Sequence, residues 1–207
     1  MKAIETVYRG YRFRSRLEAR WAVFFDELGL KWEYEPEGFE RSGWMEGNGT
    51  VRWLPDFLLT ETNTWIEVKG SNEQLIEDWE RLAQLLDFGG VLPDFCESAD
   101  RRADGTIPGL LLLGPIPLES QLTWHPMVVH HEGLGICRAR FWPGKLIRAD
   151  VDWSEWNCLE SGPDGWHLDH KTSGIAGCNP VYSAYLAARQ ARFEHGQRGA
   201  PSQWLRA

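Results

Sequence analysis

The chain has 207 residues, 43% of them hydrophobic and 25% charged, and a formal net charge of −8. These proportions are typical of a globular chain that can bury a sizeable core, and no apolar run approaches the ~20 residues of a membrane-spanning helix. The beginning of the chain lacks the apolar stretch of a signal peptide, so we expect a cytoplasmic protein. The acidic balance argues against a generally basic nucleic-acid-binding surface, because Lys and Arg contacts with phosphates supply most non-specific affinity.

Five arginines fall within twelve residues near the N-terminus: Arg9, Arg12, Arg14, Arg16 and Arg20. Aromatic residues are interleaved with them in this arginine segment, residues 9–20. One interpretation is a local basic surface that binds DNA phosphates in an otherwise acidic protein. The other is an ordinary solvated arginine face, and the segment alone does not separate the two.

An amphipathic helix is predicted from Arg16 to Leu28, where apolar residues recur at helical spacing and Gly29 ends the run. Ser15 stands at its start and Glu18 follows three residues later, which is the pattern of a capping box. One interpretation of Glu18 is therefore that it only caps its own helix. We expect this role to be hard to combine with one in an active site.

Two strands are predicted over Val51–Leu59 and Trp65–Val68, because both are rich in β-branched and aromatic residues. The polar residues 60–64 between them predict a hairpin. Pro55 marks a strand start, an edge or a bulge, since it has no N–H for the ladder. Four tryptophans fall on predicted elements where core packing explains them: Trp21, Trp53, Trp65 and Trp79.

Charged residues stand at the ends of this hairpin. Side chains alternate along a strand, so Glu67 and Lys69 share one face, expected to be exposed or to line a cleft, while Ile66 and Val68 face the core. Closure around residues 60–64 would bring Asp56 level with Glu67. Two carboxylates and one lysine are therefore expected within reach of each other.

Two neighbouring carboxylates repel each other, and a hard divalent cation would neutralise them. Mg²⁺ keeps several waters, so Asp56, Glu67 and the backbone carbonyl of Val68 would suffice as ligands, with Mn²⁺ as a substitute. Lys69 would then orient the attacking water and offset charge on a phosphate. The alternative is a surface hairpin with a cross-strand ion pair, worth about 0.2–1 kcal/mol.

Pro55-Asp56, ten intervening residues and then Glu67-Val68-Lys69 resemble the metal-binding and catalytic motif of the PD-(D/E)XK nuclease superfamily. In many members a helix before the motif strands carries a Glu that completes the acidic cluster, and Glu18 occupies the matching position. The resemblance covers about residues 8–90 and implies a metal-dependent enzyme that hydrolyses DNA phosphodiester bonds.

The segments that follow match the order of that superfamily's core. A helix is predicted over residues 71–90, and the apolar run "GLLLLGPI" (109–116) predicts a fully buried strand. The resemblance implies an α/β fold, with a restriction-endonuclease-like mixed sheet flanked by helices in αβββαβ order. Gln74 and Arg81 lie on the helix where some members place further active-site or phosphate-binding groups; the alternative is solvated helix surface.

Residues 121–207 are expected to form a C-terminal elaboration packed on the core domain of residues 1–120. Most of this part lacks periodicity, but "NPVYSAYLAARQARFEHG" predicts a helix with Asn179 as N-cap and Pro180 in its first turn. Four widely spaced cysteines predict buried small side chains and make a zinc site or an iron–sulfur cluster an unfavoured alternative: Cys96, Cys137, Cys158 and Cys178.

The sequence thus predicts a Mg²⁺-dependent endonuclease acting on DNA. The overall layout also resembles uncharacterised proteins from phages of actinobacteria, which implies a phage or mobile-element setting in the host cytoplasm. Two alternatives stay open. One is a non-catalytic nucleic-acid- or protein-binding module on the same fold; the other is a resolvase or transposition-type end-cutting nuclease that acts as a homodimer or with a protein partner.

Overall fold

A computed structural model describes residues 3–41, 51–71, 73–74, 109–117, 125–130, 134–142, 145–148 and 180–193. The strands within these ranges are β1 (Thr6–Tyr8), β2 (Tyr11–Phe13), β3 (Trp32–Tyr34), β4 (Phe39–Arg41), β5 (Val51–Trp53), β6 (Phe57–Leu59), β7 (Thr64–Val68), β8 (Gly109–Leu113), β9 (His125–His130), β10 (Leu134–Trp142) and β11 (Lys145–Arg148). The helices there are α1 (Arg16–Glu27) and α2 (Pro180–Gln190). The chain is therefore a mixed α/β protein.

A mixed sheet forms the centre of the described structure, with strand order β11-β10-β9-β8-β7-β6-β3. Its β7–β8 pair is parallel, and the other described pairs are antiparallel. Every residue of β7 and of β8 is buried, as expected for strands covered on both faces. The prediction of a buried strand in "GLLLLGPI" is thus confirmed.

Helix α1 covers one face of this sheet and begins and ends as the sequence predicts. Ser15 is the N-cap, and its Oγ accepts a hydrogen bond from the Glu18 N–H. At the other end Gly29 has a φ of 70°, and the N–H groups of Gly29 and Leu30 donate to the carbonyls of Asp26 and Phe25. This is a Schellman motif, which requires a left-handed residue that glycine adopts without strain.

Helix α2 packs against α1, with the rings of Phe24 and Tyr185 stacked at 4.4 Å between centroids. The predicted C-terminal helix is confirmed from Pro180 to Gln190, but residues 191–193, which the prediction included, are not helical; Asn179 lies outside the described residues. Ile66 and Val68 belong to the core cluster that both helices share. The prediction that these two residues face the core is confirmed, and Glu67 lies on the opposite face of β7.

The prediction of one continuous strand from Val51 to Leu59 is wrong. The segment divides at Pro55: β5 pairs with β4 in a separate two-stranded sheet, whereas β6 joins the central sheet between β3 and β7. A proline has no N–H to continue the ladder, and the next N–H, that of Asp56, donates to the Ile66 carbonyl. The break places Asp56 directly before β6.

Part of the arginine segment forms the β1–β2 hairpin. Arg9 and Gly10, its two turn residues, have φ values of 49° and 86°, which is the pair of positive angles of a type I′ turn. Residues 73–74 are helical, and the rest of the helix predicted over 71–90, including Arg81, lies outside the described residues. Neither helix in the described ranges is long and apolar enough to cross a membrane.

Candidate active site

The β6–β7 pairing brings Asp56 and Glu67 together. Phe57 is the partner of Ile66, and the Asp56 N–H donates to the Ile66 carbonyl at 2.9 Å. Asp56 therefore stands opposite Glu67, as the predicted hairpin closure requires. The Val68 N–H donates to Asp56 Oδ2 at 2.7 Å, so the backbone of β7 fixes the orientation of this carboxylate.

Lys69 reaches Glu67 from the same face of the chain. Its Nζ lies 2.8 Å from Glu67 Oε1, and the Lys69 side chain is 21% exposed against 7% for Glu67. The other oxygen, Glu67 Oε2, accepts a hydrogen bond from Trp53 Nε1 at 2.8 Å. Of the two surroundings predicted for this face, an exposed one is excluded for Glu67, which is recessed beneath Trp53 with Lys69 nearer to solvent.

Glu18 lies at the start of α1 and close to Asp56. Its Oε1 accepts a hydrogen bond from the Ser15 hydroxyl, and its Oε2 accepts one from the Tyr34 hydroxyl at 2.6 Å. Oε2 also accepts from the Arg14 N–H, so the carboxylate fixes the chain that leads into α1. It lies close enough to Asp56 to raise the pKa of that residue. A capping contact with Ser15 and proximity to Asp56 are therefore compatible in one carboxylate.

Arg14 lies within this acidic cluster. Its Nη2 is 2.6 Å from Asp56 Oδ1, and its Nε is 2.5 Å from Glu35 Oε1, in an ion pair that lacks hydrogen-bond alignment. We expected it to belong to a basic surface shared with the rest of the arginine segment. Its immediate partners are instead two carboxylates of the candidate site.

The other candidate DNA-binding residues that the structure describes have separate partners and surroundings. Arg9 pairs with Asp26, and Arg12 pairs with Glu5 at the exposed side of the hairpin. Arg16 and Arg20 are partly buried on α1. Gln74 lies beside the end of the motif, where its Oε1 accepts a hydrogen bond from the Gly70 N–H at 3.0 Å. Arg9 and Arg12 keep N–H groups that their ion pairs do not use, whereas two nitrogens of Arg14 are engaged by carboxylates.

The cluster keeps an excess of negative charge away from water. Burial first, and then the charges of Glu67 and Glu18, raise the pKa of Asp56 well above its ordinary value, while the Val68 N–H and Arg14 act in the opposite direction. Four carboxyl groups here, those of Glu18, Glu35, Asp56 and Glu67, face two cations, Arg14 and Lys69. Burial and the hydrogen bond to Glu18 raise the pKa of Tyr34, so its phenol stays protonated and remains a donor.

All six carboxylate oxygens of Glu18, Asp56 and Glu67 have a protein donor or cation as partner. Accordingly, no group of three or more His, Cys, Asp or Glu side chains in the described ranges is arranged to hold a metal. Mg²⁺, however, is usually held by only one or two carboxylates and several waters. Asp56 Oδ1 and Glu67 Oε1 are held by the flexible side chains of Arg14 and Lys69, so these hard oxygens fit such an ion.

Three residues of the site were missed by sequence reasoning: Tyr34, Glu35 and Trp53. Trp53 was assigned only to core packing, and no motif marks Tyr34. Glu35 has a φ of 45° and donates its N–H to the Asp56 carbonyl at 3.0 Å. A non-glycine residue in the left-handed region is strained, and such residues cluster at functional sites. No local sequence signal predicts that conformation.

No protein-family model, curated protein or solved structure significantly matches this chain. Its function is therefore inferred from the chemistry of its own residues.

Proposed function

We propose that this chain is a metal-dependent nuclease that hydrolyses DNA phosphodiester bonds on a PD-(D/E)XK-type fold. The observation that carries the proposal is the recessed pair of Asp56 and Glu67 on neighbouring strands, with Lys69 Nζ 2.8 Å from Glu67 Oε1. The two carboxylates and the lysine were the residues that the sequence motif singled out. Their association supports the motif over a chance match of a short pattern.

The electrostatics of the cluster support the same proposal. Burying carboxylates beside each other costs free energy, and perturbed acids of this kind concentrate at functional sites. A purely structural ion pair between Glu67 and Lys69 would not require Asp56 and Glu18 to lie alongside. A divalent cation would compensate the excess charge, with Asp56 and Glu67 as its ligands and the Val68 carbonyl as the predicted third.

Each side chain of the site has a separate role in the proposed reaction. When bound, the metal supplies Lewis-acid polarisation of the phosphate and acidifies a bound water. Lys69, at the exposed end of the cluster, positions the attacking water and offsets the charge that develops on the phosphate. Trp53 holds Glu67 in one orientation. Tyr34 and Ser15 do the same for Glu18, which completes the acidic cluster.

A cleavage assay tests this function directly. Purified protein is incubated with supercoiled, linear and branched DNA in the presence of Mg²⁺, Mn²⁺ or EDTA. We expect cleavage with either metal and none in EDTA, and a loss of about 10²-fold or more in Asp56→Asn, the size seen when one preorganised electrostatic group is removed. Supercoiled and linear substrates distinguish internal from end cutting.

Glu40→Gln is the matched control. Glu40 is an exposed acid that pairs with Arg52 and takes no part in the cluster, so its loss should leave cleavage unchanged. Cleavage in EDTA, or an equal loss in the two variants, would contradict the proposed site.

A second candidate function is a non-catalytic DNA-binding module. The observation that favours it is the pairing of all six carboxylate oxygens with protein groups, since such a network can stabilise a fold without any metal. This function predicts DNA binding that is the same in Mg²⁺ and in EDTA, with no cleavage of any of the three substrates.

A further inference from the structure

The guanidinium of Arg14 occupies the place beside Asp56 that a divalent cation would take. Arg14 Nη2 lies 2.6 Å from Asp56 Oδ1, and the other oxygen, Oδ2, is held by the Val68 N–H at 2.7 Å. Each oxygen of this carboxylate therefore already has a donor. A metal ion approaching Oδ1 would be repelled by the guanidinium charge beside it, so metal binding there favours departure of the guanidinium.

The backbone of Arg14 is fixed by hydrogen bonds, whereas its side chain is partly exposed and held by ion pairs. Its N–H is shared between Glu18 Oε2 at 3.1 Å and the Tyr34 hydroxyl at 3.0 Å. The side chain is nevertheless 55% exposed, whereas that of Asp56 is 4% exposed. The guanidinium can thus turn toward solvent about an anchored Cα without disturbing α1 or the strands.

The position of Arg14 suits a DNA phosphate as well as a carboxylate. A guanidinium binds both anions through paired N–H groups, and it stays charged at any pH relevant to a protein. Glu35 holds its Nε at 2.5 Å, which keeps the group at the mouth of the site. A phosphate that approaches Asp56 and Glu67 from solvent therefore meets Arg14 first.

We propose that Arg14 is the exchangeable cation of this site, which neutralises Asp56 in the metal-free protein and turns to the DNA phosphate when a divalent metal binds. This inference rests on the proposed nuclease function. It assigns two opposite effects to one residue: Arg14 lowers the affinity for the metal ion and raises the rate of DNA cleavage.

Calorimetric titration with Mn²⁺ alone, without DNA, tests the first effect. Arg14→Gln should bind Mn²⁺ about tenfold more tightly than wild type, because the metal no longer displaces a charge-assisted hydrogen bond. Arg52→Gln is the matched control: it removes the same charge from an exposed arginine that pairs with Glu40, and its Mn²⁺ affinity should equal that of wild type. The Mn²⁺ affinity of Arg14→Lys, which keeps a cation at this position, should lie near that of wild type. This comparison separates the effect of the lost charge from the effect of replacing the side chain.

Single-turnover cleavage in saturating Mn²⁺ tests the second effect. Arg14→Gln should cleave about 10²-fold more slowly although it binds the metal more tightly, a split that a merely structural role would not produce. Unchanged Mn²⁺ affinity in Arg14→Gln overturns the exchange, and unchanged cleavage overturns the phosphate contact. If wild type cleaves no DNA, the nuclease proposal fails. Tighter Mn²⁺ binding by Arg14→Gln would then still support the exchange of Arg14 for a metal ion. If neither wild type nor Arg14→Gln binds Mn²⁺, the exchange is overturned.

Discussion

Individual side chains in the cluster around Asp56 are held in arrangements that bring buried acidic groups close together. Asp56 is buried between Glu67 and Glu18, and burial together with these charges raises its pKa. Lys69 stands beside Glu67 at the more exposed end of the cluster. The folded protein therefore carries an electrostatic cost that a bound cation would relieve, and single substitutions should reveal it.

In the metal-free protein, Asp56→Asn should gain stability relative to wild type as the pH rises. A carboxyl whose pKa is raised by folding contributes stability that is fully present below its ordinary pKa, near 4, and is lost as the pH rises through its folded pKa. The melting temperature of the variant minus that of wild type should therefore increase as the pH rises from about 4. Thermal melts of both proteins in EDTA across this range check the prediction. A difference that is independent of pH would show that the Asp56 charge is not penalised by folding.

Lys69→Ala separates a structural lysine from a reacting one. If Lys69 only pairs with Glu67, its loss should leave the buried Glu67 carboxylate short of one partner and cost about 1–3 kcal/mol of stability or more, but leave cleavage intact. If it positions water or offsets phosphate charge, single-turnover cleavage should fall by roughly 10²-fold or more while Mn²⁺ binding survives. Lys31→Ala is the control, since Lys31 forms an exposed pair with Glu61. Retained cleavage in a folded Lys69→Ala protein would refute the mechanism.

Two features of the strands position the site: the division of the chain at Pro55 and the hydrogen bond from Trp53 to Glu67. The division of the chain at Pro55 sends β5 to the small sheet with β4 and β6 to the central sheet. Trp53, the last residue of β5, stacks on Phe39 of β4 and donates to Glu67 of β7. The small sheet thus covers the Glu67 face of the central sheet and controls one oxygen of that carboxylate.

Trp53→Phe should uncouple the small sheet from the site. The phenyl ring retains aromatic packing on Phe39, but the buried Glu67 Oε2 loses its donor, which should cost about 1–3 kcal/mol of stability. Glu67 should also be less well oriented, so Mn²⁺ affinity should fall. Urea unfolding and Mn²⁺ titration of the variant measure the two effects. Unchanged values for both would show that the hydrogen bond from Trp53 is dispensable.

At the scale of the whole molecule, His125 joins the sheet to both helices. It is the first residue of β9, lies against Trp21 of α1, and its Nε2 is 2.9 Å from the Tyr185 hydroxyl of α2. Burial lowers the pKa of His125 to about 3. The imidazole is therefore neutral in the folded protein, and protonating it would place a charge in the centre of the core.

His125→Gln should reduce the acid sensitivity of the fold. A histidine whose pKa is depressed by folding contributes stability that is present above its ordinary pKa, near 6.5, and is lost as the pH falls toward its folded value. Glutamine keeps a hydrogen-bonding group near Tyr185 but does not titrate. Melting temperatures at several pH values between 7.5 and 4 should therefore decline less steeply in the variant. This slope is opposite in sign to that of Asp56, so the two effects are separable; parallel profiles would contradict the assignment.

The sequence alone determined the features that depend on neighbouring residues. The caps of α1 at Ser15 and Gly29 were predictable because capping acts over one turn of chain. The strand period placed Ile66 toward the core and Glu67 on the opposite face. The continuous apolar run of β8 predicted burial on both faces. Asp56, Glu67 and Lys69 converge because they belong to one hairpin, whose register is local.

Only the tertiary structure decided which groups meet between distant segments. Arg14 reaches Asp56 across 42 positions of sequence, and Tyr34 reaches Glu18 across 16. Pro55 marks the point where the strand predicted over 51–59 divides, but the pairing of β5 with β4 in a separate sheet is not encoded within the segment. Propensity and periodicity act over a few residues, whereas ion pairs and hydrogen bonds between elements depend on how those elements pack. The tertiary packing therefore turns a conventional hairpin motif into a recessed acidic cluster with a movable cation at its mouth.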